Sequence, residues 1–311
     1  MNSKLGKTSG EPPSGIPPHT AGLSERERRK IDWRVALYLL PATAVLLLLF
    51  IYPFLYGVAL SFHDQAGKLT LANYVRFFTD PWQYGTLWNT LRLALPVTLV
   101  VIALSVPIAY KMREKVRGEK AITALLTIPI TLGTVLVAEG ILGFLGVQGW
   151  FNQILMWLGI VKEPLLLTHN YTGTFIALVI NGFPFSFLMI LGYTSGIDPN
   201  LENSARALGA GPWQVFKKVM LPLMAPGIAF AASLEFLVTF SVYPSAVLVG
   251  DPAGSTRVIA MAAYQAAFEQ YNQPFGSAIA IIMALVQLAV VVGILYLRGR
   301  FYRGSTAISK G

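Results

Sequence analysis

Arg92, Glu139 and Glu235 are charged side chains set in stretches that are otherwise apolar. Two kinds of chemistry are open to the carboxylates. A carboxylate shielded from water attracts cations, so Glu139 and Glu235 would suit the path of an ammonium or polyammonium solute. Asn181, Tyr193, Ser241 and Tyr243 are candidate polar neighbours on that path. Alternatively each carboxyl is protonated or hydrogen-bonded to a neighbouring helix, while Arg92 snorkels toward the outer interface. Both readings of Glu235 are open from sequence; Glu139, nearer the end of its apolar stretch, inclines to the second. Catalysis fits less well. The sequence has no cysteine, and its three histidines, His19, His63 and His169, fall in tails or connections. Thiolate nucleophiles, disulfides and clustered metal ligands are therefore not expected, so we expect no catalytic residue and no metal site.

Side chains of this kind need a scaffold that carries them through a bilayer. Of the 311 residues, 54% are hydrophobic and only 13% charged, whereas a soluble domain carries roughly 25% charged residues. Uncharged runs over 35–62, 170–197 and 270–297 each hold 28 residues, more than the ~20 that cross a bilayer as a helix. Less regular stretches complete a set of six crossings at 35–61, 87–110, 121–145, 172–194, 226–249 and 275–297. The expected fold class is all-α, a polytopic membrane protein with six transmembrane helices. Pro41 and Pro53 give the first crossing room to tilt or kink, and Pro184 is placed to bend the fourth.

Lysine and arginine set the orientation. They number 24 against 15 acids, a net charge of +9. Taken alternately, the connections and tails carry 19 of them on one side and 4 on the other. The positive-inside rule then places both termini and the 111–120 and 195–225 segments in the cytoplasm. The excess charge is thus a topology signal, and the expected partner is the lipid bilayer rather than nucleic acid. Residues 1–23, with Pro12, Pro13, Pro17 and Pro18, are too polar and broken to fold, and Ser24-Glu25-Arg26-Glu27 reads as a capping box opening a short interfacial helix. Gly6-Lys7-Thr8 has the ending of a phosphate-binding loop but lacks its earlier glycine and preceding strand. Outside, Trp82, Tyr84, Trp150 and Trp157 suit the headgroup level. Residues 149–158 read as a helix lying on the membrane, and 255–270 as a helical outer lip. The domain organisation is a tail over 1–34, a first helix with its outer loop over 35–84, a five-helix core over 85–297, and a tail over 298–311.

One cytoplasmic connection is better ordered by its sequence than a turn needs to be. Asp198 caps a helix that Pro199 opens, where the missing N–H costs nothing. Leu201, Ala205 and Leu208 then form a narrow apolar stripe, Gly209 stops the helix, and Pro212 starts a second short helix running to Pro222. This helix–glycine–helix hairpin is suited either to docking a partner or to resting on lipid headgroups.

In this hairpin the sequence resembles the membrane permease subunits of binding-protein-dependent ABC importers. Their signature is Glu-Ala-Ala-x-x-x-Gly-Ala in a cytoplasmic loop, followed after about a dozen residues by Leu-Pro. Ala205, Gly209, Ala210, Phe216, Leu221-Pro222 and Pro226 match it, while Asn203 replaces the motif's glutamate, with Glu202 one position earlier, and Ser204 replaces its first alanine. The resemblance covers about 85–297 and implies a type I ABC importer permease fold in a bacterial inner membrane. It implies that the loop, Leu201, Glu202, Asn203, Ser204, Ala205, Arg206, Ala207, Leu208, Gly209 and Ala210, couples to a separate ATP-binding subunit. It further implies a second permease subunit, two ATP-binding subunits and an extracytoplasmic substrate-binding protein. No cofactor is then bound by this chain, since ATP and Mg²⁺ belong to the ATPase. Leu208-Gly209-Ala210, Ile197-Asp198-Pro199 and the stretch before Pro274 resemble the polyamine, opine and phosphonate branch, so a polyamine-like or other small polar organic cargo is implied. A sugar-type permease, or a stand-alone secondary carrier, is the alternative.

Overall fold

The computed structural model describes residues 37–113 and 118–301; the expected capping box at Ser24–Glu27 lies outside them. Among the described residues, six helices are long and apolar enough to cross a membrane. They are α1 (Leu37–Ser61), α3 (Pro81–Met112), α4 (Glu119–Leu145), α6 (Tyr171–Ser195), α8 (Pro212–Phe240) and α11 (Gln273–Phe301). Shorter helices stand between them: α2 (Ala72–Thr79), α5 (Trp150–Trp157), α7 (Pro199–Ala207), α9 (Pro244–Leu248) and α10 (Ile259–Tyr264), the last continuing into a π turn, Gln265–Glu269. Among the described residues the only β pairing is an isolated bridge between His63 and Leu69.

The residues form two compact units, one ending at Tyr56 and the other beginning at Gly57. The part of α1 in the first unit is apolar all round, the pattern of a helix with lipid for a neighbour. In the second unit, α3 packs along α6, and α8 packs against both. Phe187 and Ile190 of α6 meet Val106 and Ala109 of α3 and Met220 and Met224 of α8 in one buried cluster. Phe236 and Phe240 of α8 meet Phe275 and Ile279 of α11 in another. Lipid tails are as apolar as these side chains, so what holds the helices together is close packing rather than exclusion of water. Local signals set the helix starts. Asp80 accepts from the Trp82 N–H at 2.9 Å ahead of Pro81, and Asn170 accepts from the Gly173 N–H at 2.8 Å.

The fifth crossing departs from expectation. Sequence placed it at 226–249 behind a separate short helix; α8 instead runs unbroken from Pro212 to Phe240. Pro222 should have interrupted it, because proline cannot donate to the preceding turn. The chain widens into a π turn at Phe216–Met220, where the Leu221 N–H bonds Phe216 O, and this accommodates the proline. At the far end α8 stops at Phe240, and Pro244 begins the next helix after three non-helical residues. Tyr243, the residue before Pro244, has φ −127 and ψ −56, outside regular helical geometry.

Candidate functional site

A cavity of about 590 Å³ lies where α4, α6 and the end of α8 meet. Its walls include Pro129, Gly133, Asn181, Glu235, Ser241 and Tyr243. Two of these walls are irregular backbone. Gly133 has φ 76 and ψ 162 inside α4, a conformation essentially reserved for glycine, and the chain is unwound over Ser241–Tyr243. Non-helical backbone at membrane depth is tolerated where it is buried in protein or lines a water-filled cavity. α11 secures the unwound end: the Gln287 side chain donates to Ser241 Oγ at 2.7 Å and to Leu237 O at 3.2 Å. Outward from the cavity the rings of Tyr243, Tyr264 and Phe268 follow one another at 5.1 Å spacings.

Asn181, Glu235, Ser241 and Tyr243, expected along a solute path, thus border one cavity. Glu235 is only 1% exposed. Its carboxylate accepts from Ser186 Oγ of α6 at 2.8 Å and from Thr239 Oγ1 at 3.0 Å. Gly182 of α6 lies flat against it, and a Cβ there would collide with the carboxylate. Glu235 thus makes an interhelical hydrogen bond at the wall of this cavity. Glu139 is not brought to this cavity. It lies further along α4, exposed, beyond the Gly133 break. Tyr193 is also absent from the lining and packs its ring on Gly227. Arg92 is exposed, with its guanidinium 5.6 Å from the Tyr171 ring.

The hairpin between α6 and α8 is built as its caps dictate. Asp198 accepts from the Asn200 N–H at 2.9 Å, and Pro199 opens α7. At its end Gly209 has φ 86, and the Gly209 and Ala210 N–H groups bond Arg206 O at 2.9 Å and Ala205 O at 3.1 Å. The left-handed residue closes the last turn and sends the chain into Pro212. Leu208 and Trp213 are 90% and 69% exposed, and Leu201 is 46% exposed. Among the described residues, nothing covers the surface that these apolar side chains present. Asn203, Ser204 and Ala207 are exposed beside them, while Ala205 and Ala210 are half-buried against the core.

Glu202 faces the other way and is 3% exposed. It accepts from Tyr110 Oη at 2.9 Å, from Arg206 at 2.5 Å, and from Arg113, which follows the last turn of α3. Burial pushes the carboxyl up, but hydrogen bonds from Arg206 and Tyr110 and the charges of Arg113 and Arg206 outweigh it. The group is held below the ordinary glutamate value. Sequence reasoning reached Glu202 and its i,i+4 partner Arg206. It missed Tyr110, Arg113, Ser186 and Gly182, which no local spacing connects to their partners.

Comparison with known proteins places this architecture in a family. The family described as binding-protein-dependent transport system inner membrane component matches residues 99–298. The spermidine/putrescine transport system permease protein PotB of Salmonella typhimurium (strain SL1344) is 29% identical over 245 residues, covering 78% of this chain and 81% of that protein. The sulfate transport system permease protein CysT of Escherichia coli (strain K12) is 24% identical over 241 residues, covering 77% of this chain and 85% of that protein. A crystal structure of a bacterial alginate ABC transporter, in complex with its alginate pentasaccharide-bound periplasmic protein, superimposes with a TM-score of 0.76. That match has 23% identity and covers 91% of this chain and 99% of the other. The fold is therefore that of ABC importer permeases, and the chain belongs to the family of inner membrane components of binding-protein-dependent transport systems.

Proposed function

We propose that this chain forms half of the translocation pathway of an ATP-driven importer for a polyamine-like cargo. Two permease subunits make the pathway, two ATP-binding subunits power it, and an extracytoplasmic substrate-binding protein delivers the cargo. ATP and Mg²⁺ are held by the ATP-binding subunits, and this chain, a transport subunit rather than an enzyme, holds no cofactor. The observation that carries the proposal is the division of labour between the two ends of α8. One end leaves a hairpin with exposed Leu208 and Trp213, and the other ends in an unwound segment beside Glu235 at a cavity.

Transport on this reading is an alternation between two states biased by nucleotide and by the loaded binding protein. Closure of the ATP-binding subunits moves α7, and α8 carries the movement to the cavity wall. The charge asymmetry supports a cytoplasmic hairpin and cytoplasmic termini. Cargo chemistry is supported by the spermidine/putrescine relatives and by the carboxylate at the cavity. A carboxylate about 4 Å from an ammonium in a partly shielded site contributes on the order of 4 kcal/mol before desolvation is subtracted.

Reconstitution of the whole importer in liposomes with its binding protein tests this reading. Labelled spermidine is expected to cross only when ATP is supplied on the hairpin side. Transport of a neutral sugar with none of spermidine would overturn the cargo, and transport with no ATP-binding subunit present would overturn the importer reading.

A further inference from the structure

The hairpin is joined covalently to α6 and α8, and α3 has no covalent link to it. Yet α3 is the helix packed most extensively on α6. Its last turn brings Tyr110 and Arg113 to the inner face of α7, where both donate to Glu202. The Arg113 side chain is as well buried as its partner, with 6% and 4% of each exposed. The third donor, Arg206, has a side chain 51% exposed, so its bond competes with water and is weaker than its geometry suggests. The Tyr110 ring also packs at a tilt against Phe216 of α8, centroids 4.9 Å apart, and Phe216 in turn meets Trp213 at 5.6 Å. The end of α3 is thereby the meeting point of three segments.

We propose that Glu202 and Arg113 form an internal strap that ties the hairpin to α3, so that a displacement of α7 is delivered to three helices rather than two. On this inference, which rests on α7 docking to an ATP-binding subunit, Glu202 is a positioning residue and makes no contact with that subunit. Leu208 and Trp213, on the opposite face, make the contact. Glu202→Gln leaves the buried Arg113 charge without its partner, and loss of Arg113 leaves Glu202 with the exposed Arg206 and held to α3 by Tyr110 alone, so either loss should loosen the tie to α3. Among the described residues Arg113 Nε is buried without a hydrogen-bond partner, and a cavity of about 360 Å³ borders the pair along Thr194, Ser195 and Asn203. The strap is thus not locked in one geometry by its surroundings, as a link between two states of a transporter requires.

The test is a double-mutant cycle on the complete importer in liposomes, with Glu202→Gln, Arg113→Gln and the two together. The readouts are retention of the ATP-binding subunit on purification and cargo taken up per ATP hydrolysed. Each single variant is expected to keep the subunit and lose about tenfold in uptake per ATP, and the double variant to lose no more than the worse single. Losses that multiply to about a hundredfold would overturn the strap. So would loss of the ATP-binding subunit from Glu202→Gln with Arg113→Gln intact, which would place Glu202 in the intersubunit contact. If the glutamine variants fail to insert, Glu202→Asp and Arg113→Lys, which keep both charges but weaken the bonding geometry, carry the same expectations. Leu208→Asp separates the underlying reading: it should release the ATP-binding subunit, and retention would refute docking by α7 itself.

Discussion

Replacing Gly182 with alanine adds a single methyl group where the structure has no room for it. The new Cβ would overlap the Glu235 carboxylate, which is held by Ser186 at 2.8 Å and Thr239 at 3.0 Å. The backbone of α6 cannot easily yield, since it packs on α3 and α8, so the carboxylate must turn away and give up the Ser186 bond. Interhelical hydrogen bonds in membrane proteins are worth ~0.6 kcal/mol on average and up to ~1.7, and overpacking costs ~1–3 kcal/mol. Alanine is better than glycine in a helix interior by ~0.8–1.0 kcal/mol, so the expected net destabilisation is about 1–4 kcal/mol. Function should respond more than stability, because the displaced carboxylate moves at the cavity wall. Gly192→Ala is the matched control. It lies on the same helix with nothing within 4 Å of an added Cβ, and should gain up to ~1 kcal/mol with uptake unchanged. Thermal unfolding in detergent and cargo uptake in liposomes would be measured for both. If Gly182→Ala matched Gly192→Ala in both assays, the carboxylate would not be packed against Gly182 and the account of this cavity wall would fail.

Two further outcomes follow from the hairpin. Gly209 has φ 86 with open space around it, so Gly209→Ala should cost ~1–2 kcal/mol through backbone strain alone. Pull-down of the ATP-binding subunit should weaken by roughly 5–30-fold, and unchanged association would mean that the turn is not needed for docking. Glu202 is held below the ordinary glutamate value in the fold, so its stabilising share is complete above that value, ~4.3. The share is lost as pH falls through the lower folded-state value, because the unfolded chain then binds the proton first. Unfolding temperature contributed by this site should be level from pH 8 to 5 and decline only below that range. A decline near pH 6 that Glu202→Gln abolished would contradict the bonding described for it.

Much of this protein is written locally in its sequence. Long apolar stretches fix the number of crossings, because a helix is the simplest way for one segment to satisfy its own backbone in lipid. Asp198, Pro199 and Gly209 fix the start and end of α7, because caps act through neighbouring backbone groups. The limits of α8 were not legible in that way. Whether Pro222 breaks a helix depends on a π turn that the preceding residues adopt under packing, and the motif alone does not reveal it.

The functional side chains divide along the same line. Glu139 and Glu235 give one signal in the sequence, an acid in an apolar run, yet Glu235 reaches a cavity and Glu139 does not. The difference is where each residue falls relative to the cavity, Glu139 lying beyond the Gly133 break, and the packing of the helices sets where that cavity is. Glu202 pairs with Arg206 by helix spacing alone, but its bond to Arg113 joins residues far apart in the chain. The sequence by itself determined the number of spans, the hairpin and its caps, since these follow from periodicity and from groups a few residues apart. Only the tertiary structure decided that Glu202 turns inward while Leu208 stays exposed, and that Gly182, Ser186 and Glu235 meet. Those arrangements depend on which faces of α3, α6 and α8 pack together, and long-range packing of this kind has no local signature.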